Sequence, residues 1–448
     1  MTYLSLALLV GIPLALGAAA AVPRRRLRHL LAALAMVAIG AGVIVTRPDQ
    51  PLLIASTPLA LTPIGRLELS FLAVVGSLVI GYHFLAGRAS ALPVLLPLVL
   101  AATAAGRTFG PGLLIATSFL QLAAILVSVL MIGEQPDWQA SVAGAAYLIL
   151  SSLGGIALLF GFLLADLQRL SPGGLVTIPF VVAMLSVGFA MQWGVAPLHF
   201  RLPNAFQRAG PAAALAVCVV GPATLGLLIQ GLSALPQLVS DETVDRYLIF
   251  GGLLTAVLGA AASLAPAKLR RTLGYVLVAD LGFILAGVAT FSRIGLAGAA
   301  LHMAHRSLTA LLLLSAATEL EQVDRAAAEE ERPAPYLWAT VLIGTLSLLG
   351  IPPLGGFAAN WAVYQALALS DWRLAITLAA SSVVCLIAVL SALGRLRRPY
   401  PRPWRRPRPV EVALMALAAF VALWGLAPGP ALGAIHQAAG ELPFLKPF

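Results

Sequence analysis

Charge is scarce in this sequence. Only 10% of its 448 residues are Asp, Glu, Lys or Arg, while 60% are hydrophobic; a soluble domain has about a quarter charged. So few ionic side chains cannot solvate the surface of a soluble enzyme, nor do they describe a disordered tail. Cysteine occurs twice, at Cys218 and Cys385, each within an apolar run. That excludes a disulfide framework, a cysteine metal site and a cysteine redox motif. Lysine also occurs twice, at Lys268 and Lys446, and the other 26 of the 28 basic residues are arginines. The net charge of +10 would suggest nucleic acid in a soluble protein. Here the arginines crowd into short breaks between apolar runs, a pattern of membrane topology, and nucleic acid is not an expected partner. No nucleotide fingerprint or flavin loop is present, so no cofactor is expected.

What is there is a series of apolar runs, which defines an all-α polytopic membrane protein. Spans fall near 2–22, 29–46, 68–87, 91–105, 111–132, 140–165, 173–195, 209–232, 247–265, 272–291, 295–318, 336–355, 374–394 and 410–428. The longest polar stretches are 320–335, with Glu329, Glu330 and Glu331, and the Arg/Pro-rich 395–409. The first run lacks a basic start and is followed by Arg24, Arg25, Arg26 and Arg28, the reverse of a cleaved signal peptide. It reads as a first membrane helix. If the basic segments 24–28 and 395–408 both face the cytoplasm, an even number of crossings separates them, and both termini fall on the non-cytoplasmic side.

Two segments interrupt the apolar pattern. Residues 191–213, MQWGVAPLHFRLPNAFQRAGPAA, hold Pro197, Pro203 and Pro211, and residues 350–357, GIPPLGGF, hold Pro352, Pro353, Gly355 and Gly356. Irregular backbone at membrane depth persists only where protein or a water-filled cavity satisfies it, and paired interruptions point to an ion path. A kinked helix or plain turn is the alternative for each.

These segments carry a resemblance. APLHFRLPNAFQRAGPAAALAV at 196–217 is similar to a proline-bracketed broken helix, and LRRTLGYVLVADLGFILAGV at 269–288 to a Lys-Arg-x-Leu-Ala-Tyr-Ser helix start. GLAGAALHMAHRSLTALLLLSAA at 295–317 is similar to a histidine-bearing helix ending in Phe-Lys-Ala-Leu, and LSLLGIPPLGGFAANWAVYQAL at 346–367 to a Gly-x-Pro-Pro-x-x-Gly-Phe helix. In this order they resemble the antiporter-like membrane subunits of respiratory complex I, membrane-bound hydrogenases and multisubunit cation/proton antiporters. The resemblance implies about 14 transmembrane helices with two inverted five-helix repeats, each holding a broken helix. It divides the chain into N-terminal helices over 1–110, an antiporter-like core over 111–370 and C-terminal helices over 371–448. It also implies proton transport along a buried chain of Glu, Lys and His, in a multisubunit assembly in a bacterial-type inner membrane. The implied partners are other membrane subunits and the lipid bilayer, with a soluble redox or uptake module contacted indirectly.

Such a chain works because a desolvated lysine or carboxylate has a movable pKa, whereas arginine stays protonated. Carried over position by position, the family's ionisable sites fall on Gln121, Gln192, Pro222, Thr309 and Asn360, all neutral. Neither lysine lies in an apolar run. The remaining proton-path candidates are His302, His305, Asp280 and His199. His302 and His305 form either a proton-exchange pair beside Arg306 or two side chains bonded to neighbouring helices. Asp280 is either a proton carrier or the partner of an arginine. His199 orients backbone in the broken helix, between loop anchors Arg201 and Arg208, and solvation at the interface accounts for Glu319. Three readings follow: a subunit of a proton-translocating oxidoreductase with an impaired or rerouted path, a non-conducting structural relative, or a membrane subunit of an inorganic-carbon uptake or cation antiport system. Catalytic chemistry is not assigned to this chain; an NADH-quinone oxidoreductase or hydrogenase reaction would belong to the assembly.

Overall fold

The computed structural model describes residues 2–46, 52–54, 57–87, 90–108, 112–133, 138–170, 177–235, 242–265, 267–330, 335–396, 406–440 and 442–445. Its helices, in order, are α1 (Tyr3–Leu6), α2 (Ile12–Ala19), α3 (Arg25–Val45), α4 (Pro63–Ala86), α5 (Leu92–Thr108), α6 (Leu113–Gly133), α7 (Trp138–Leu170), α8 (Ile178–Trp193) and α9 (Arg201–Arg208). They continue with α10 (Gly221–Ala234), α11 (Glu242–Ser263), α12 (Leu269–Ala289), α13 (Arg293–Glu330), α14 (Pro335–Leu348), α15 (Phe357–Leu396), α16 (Pro409–Leu423) and α17 (Gly429–Ala439). A π turn at Ala7–Gly11 joins α1 to α2 in one apolar helix. The strands β1 (Leu52–Ile54) and β2 (Thr57–Leu59) pair antiparallel, a hairpin that apolar periodicity does not reveal. Among the described residues, ten helical segments are long and apolar enough to cross a membrane, and three shorter ones are also apolar.

Each apolar run becomes a helix because lipid leaves no other partner for its backbone groups. The ends follow local chemistry. Thr62 caps α4 by accepting from the Gly65 amide at 3.1 Å, with Pro63 just inside the helix. Asp371 takes extended backbone (φ −156°, ψ 114°) inside α15 and accepts the Arg373 amide at 2.9 Å. It therefore divides α15 into two helices and caps the second. The apolar pattern had marked a single span at 336–355. It is instead α14 followed by a break, because Gly350 to Gly356 cannot continue the helix, and the first part of α15, Phe357 to Ser370, falls between the expected spans 336–355 and 374–394.

The two interruptions are built alike. Gly194 (φ +75°) follows α8 and Gly350 (φ +71°) follows α14, each in the left-handed region that favours glycine. At the second, the Ile351 amide donates to Leu346 O at 3.0 Å and the Gly350 amide to Ser347 O at 3.1 Å. This is a Schellman-type closure of the last carbonyls. Cis peptide bonds precede Pro197 and Pro353.

The chain divides into two compact units. Unit 1 holds residues 1–193, 218–244 and 441–444; unit 2 holds 194–217, 245–440 and 445–448. The helix segment Ala216–Ala234, in unit 1 from Cys218 onward, is almost wholly buried, and within unit 1 α7 meets α8 where Gly188 lies against Leu158. Within unit 2, α12 is buried along nearly its whole length. A Cβ on Gly282 would stand 2.3 Å from Gly252 O, so α11 and α12 touch backbone to backbone. Small residues permit that approach where lipid offers no hydrophobic driving force.

Candidate functional site

In unit 2 the ionisable groups meet around Asp280, in the middle of α12 and 3% exposed. Its Oδ1 lies 2.7 Å from His302 Nε2 and its Oδ2 3.1 Å from Arg306 Nε. His302 and Arg306 are four residues apart on α13, so one helix face presents both to the carboxylate. Arg306 also donates to Leu277 O at 2.8 Å. An ionised carboxylate only accepts, so the contact pairs it with the Nε2–H form of His302. Phe283 covers the imidazole, with ring centroids 5.9 Å apart.

His305 turns to a different neighbour. Its Nε2 is 3.2 Å from Ser347 Oγ on the last turn of α14, and that hydroxyl donates to Val421 O at 3.3 Å. With the serine proton committed to Val421, Ser347 accepts from His305 Nε2–H. The Nδ1 atoms of His302 and His305 are buried without a hydrogen-bond partner, so neither ring commits that nitrogen to a neighbour. Gly355 and Gly356 make room for His305: a Cβ on Gly355 would stand 2.8 Å from its Cε1. The second interruption thus brings the histidine against bare backbone. The two histidines are both buried, but each bonds its own neighbouring helix.

The neutral positions also have definite places. Gln121 Nε2 donates to Gln192 Oε1 at 3.1 Å, joining α6 to α8 in unit 1. The Gln121 amide lies over Gly155, where a Cβ would stand 2.0 Å from its Cδ. Pro222 starts α10, and the neighbouring Gly221 carbonyl accepts from Trp193 Nε1 at 3.1 Å. In unit 2 the Thr309 hydroxyl is bound back to its own helix, at His305 O (2.9 Å) and Arg306 O (3.1 Å). Asn360 is buried beneath the Gly350 turn, and its Oδ1 makes no hydrogen bond. His199 lies in the short Leu198–Phe200 turn and faces the Tyr275 ring at 6.3 Å rather than Asp280. Arg201 is buried beside Gly194, so it is no loop anchor in solvent.

Glu319 also differs from expectation. It is 2% exposed and bound to Arg408 at 2.7 Å, so an ion pair rather than solvation accounts for it. Arg408 also reaches Glu411 at 2.9 Å, and Arg270 pairs with Glu321 at 2.9 Å. These bonds tie the ends of α12, α13 and α16 in unit 2. Arg397, Arg398, Arg402, Arg405 and the acidic side chains of 329–331 lie outside the described residues.

Sequence reasoning passed over Glu68 and Arg107 in unit 1. Arg107 Nε lies 2.8 Å from Glu68 Oε2, both side chains being 8% exposed. Glu68 stands at the edge of an apolar run, and Arg107 follows one; the signal was a charge of each sign at the ends of adjacent helices. Among the described residues no group of three His, Cys, Asp or Glu side chains is placed to hold a metal.

The model of the family "NADH:quinone oxidoreductase/Mrp antiporter, TM" matches residues 113–386, well over half of the chain. The chain belongs to this family. NADH-quinone oxidoreductase subunit N of Acidithiobacillus ferrooxidans is 27% identical over 349 residues, covering 69% of this chain and 70% of that protein. A chain of the Mrp complex from Dietzia sp. superposes with a TM-score of 0.83 at 19% identity, over 98% of both chains. A chain of respiratory complex I from Thermus thermophilus with bound NADH gives 0.80 at 20% identity, over 100% of both. The antiporter-like fold is therefore shared along the whole length. It is an integral membrane protein with many spans. All four quoted motifs lie within the family match.

Proposed function

We propose that this chain is an antiporter-like membrane subunit of a multisubunit, proton-translocating assembly of the complex I type. Its proton handling is rerouted onto Asp280, His302 and His305 in unit 2. The observation that carries this reading is the buried Asp280–His302 contact of 2.7 Å, with Arg306 on the second carboxylate oxygen. A carboxylate with both a histidine and an arginine can exchange the histidine proton without leaving a bare buried charge, because Arg306 remains as counter-ion. The free Nδ1 of His302 and that of His305 are the atoms on which a transferred proton would rest. His199 stands apart in the broken helix and orients it. The core 111–370 carries these groups, the partners are other membrane subunits in lipid, and the soluble module is reached indirectly. Both termini lie on the non-cytoplasmic side.

The test is His305→Ala in the assembly purified through a tag on this chain and reconstituted in vesicles. Proton translocation should fall while subunit composition stays intact. Full translocation by the intact variant would overturn the conducting reading. A second reading, a non-conducting scaffold, is favoured by one observation: Gln121 and Gln192 keep a hydrogen bond at 3.1 Å without titratable charge. It predicts that His305→Ala leaves translocation unchanged.

A further inference from the structure

Glu68 and Arg107 form a buried ion pair that the path above does not use. Three features distinguish it from a plain structural clamp. First, Arg107 does not depend on Glu68 alone: its Nη2 donates to Ala223 O, and its Nη1 lies 3.4 Å from Gln230 Oε1. If the carboxylate lost its charge, the guanidinium would keep acceptors on α10. Second, Glu68 Oε1 is buried without a hydrogen-bond partner, so one carboxylate oxygen is available to a proton. Third, an opening with room for about one water reaches the pair from the Arg107 side, lined by Thr103, Arg107, Leu120 and Ala223. Gly226 of α10 completes the arrangement. A Cβ there would stand 2.3 Å from both Arg107 Nη2 and Glu68 Oε2, so the pair sits directly against this helix.

Among the described residues, Arg107 is the charged group in contact with Glu68, and α10 meets the pair with Gly226, the Ala223 carbonyl and the Gln230 amide. The basic residues of α3 lie at its opposite end, where Arg25 and His29 meet Phe84. Phe84 is 16 residues along α4 from Glu68, about 24 Å at helical rise. Glu68 itself is less than two turns inside the start of α4 at Pro63, so a proton has a short way to travel to the aqueous face.

We propose that Glu68 is a proton-binding site of unit 1, taking up a proton at Oε1 from water while Arg107 remains held by Ala223 and Gln230. The step moves one proton from water onto the carboxylate and returns it, with no other bond made or broken. It gives unit 1 a titratable group although Gln121 and Gln192 are neutral. The proposal rests on the reading of this chain as a proton-handling subunit. Its test is a measurement that does not require pumping.

The assembly purified through a tag on this chain is titrated with acid and base, and the protonated-carboxyl absorption is followed by infrared difference spectroscopy in normal and heavy water. Wild type should show a carboxyl band that Glu68→Gln removes and Glu68→Asp displaces. Gln can still accept from Arg107, so assembly is expected to survive. If Glu68→Gln fails to assemble, the Asp variant decides: a displaced band supports the proposal. Identical difference spectra in wild type and the assembled variants overturn it. Loss of partner subunits from the wild-type preparation, or absence of proton translocation with the Glu68 band present, would count against the proposed function instead.

Discussion

The polar centres of the two units use opposite means to fill a buried helix contact. Unit 1 joins α6 to α8 by two amides, Gln121 and Gln192, and keeps its Glu68–Arg107 charges at the contact of α4, α5 and α10. Unit 2 places a carboxylate, a histidine and an arginine together between α12 and α13. An amide pair needs only hydrogen-bond geometry and remains neutral at any pH. A buried carboxylate needs a counter-charge, and removing one partner exposes the other to the full desolvation cost. The family scaffold thus accepts a neutral contact in one unit and depends on charge balance in the other.

The sharpest way to break this comparison is Asp280→Ala. It leaves Arg306 buried with Leu277 O as its hydrogen-bond acceptor and should cost about 3–5 kcal/mol, read as loss of folded protein or a lowered Tm in the purified assembly. Adding Arg306→Met should recover most of that loss. Failure to recover would mean that charge balance is not what holds α12 to α13. A smaller effect is expected from recharging unit 1. Gln121→Glu and Gln192→Lys should each destabilise, and the double variant should be more stable than their sum by about 0.5–3 kcal/mol. Strict additivity would show that the two positions do not interact. The smallest change is Ser347→Ala, which removes the acceptor of His305 and should cost about 0.5–1.5 kcal/mol, measured by thermal unfolding of the intact assembly.

Much of this was readable from the residues. The spans followed from apolar runs because each must close its own hydrogen bonds in lipid. Both interruptions were marked by proline and glycine. Gln121 and Gln192 were assigned from motif position alone, and their hydrogen bond shows that the two places are neighbours. The arginine partner of Asp280 was one of two open readings, and α13 turns both His302 and Arg306 toward the carboxylate. Other features had no local signal. Glu319 at the end of a long helix reads as solvated, yet Arg408, 89 residues away, covers it. Glu68 and Arg107 went unmarked because their shared contact, Gly226, is an ordinary glycine in an apolar run. The division of α15 at Asp371 falls just before the expected span 374–394, but the helix from Phe357 that precedes it was not among the expected spans.

The two lysines and ten per cent charge determined, without any coordinates, that this is a membrane protein with no lysine in its apolar runs. Composition suffices there because solvation by lipid is a sum over residues, indifferent to which helices touch. Which of the few charges are buried, and with what partner, was decided only by the tertiary structure. Coulombic and hydrogen-bond terms depend on a few ångströms between side chains far apart in the chain. Asp280 with His302 and Arg306, and Glu68 with Arg107, are therefore pairings that no local pattern could have fixed.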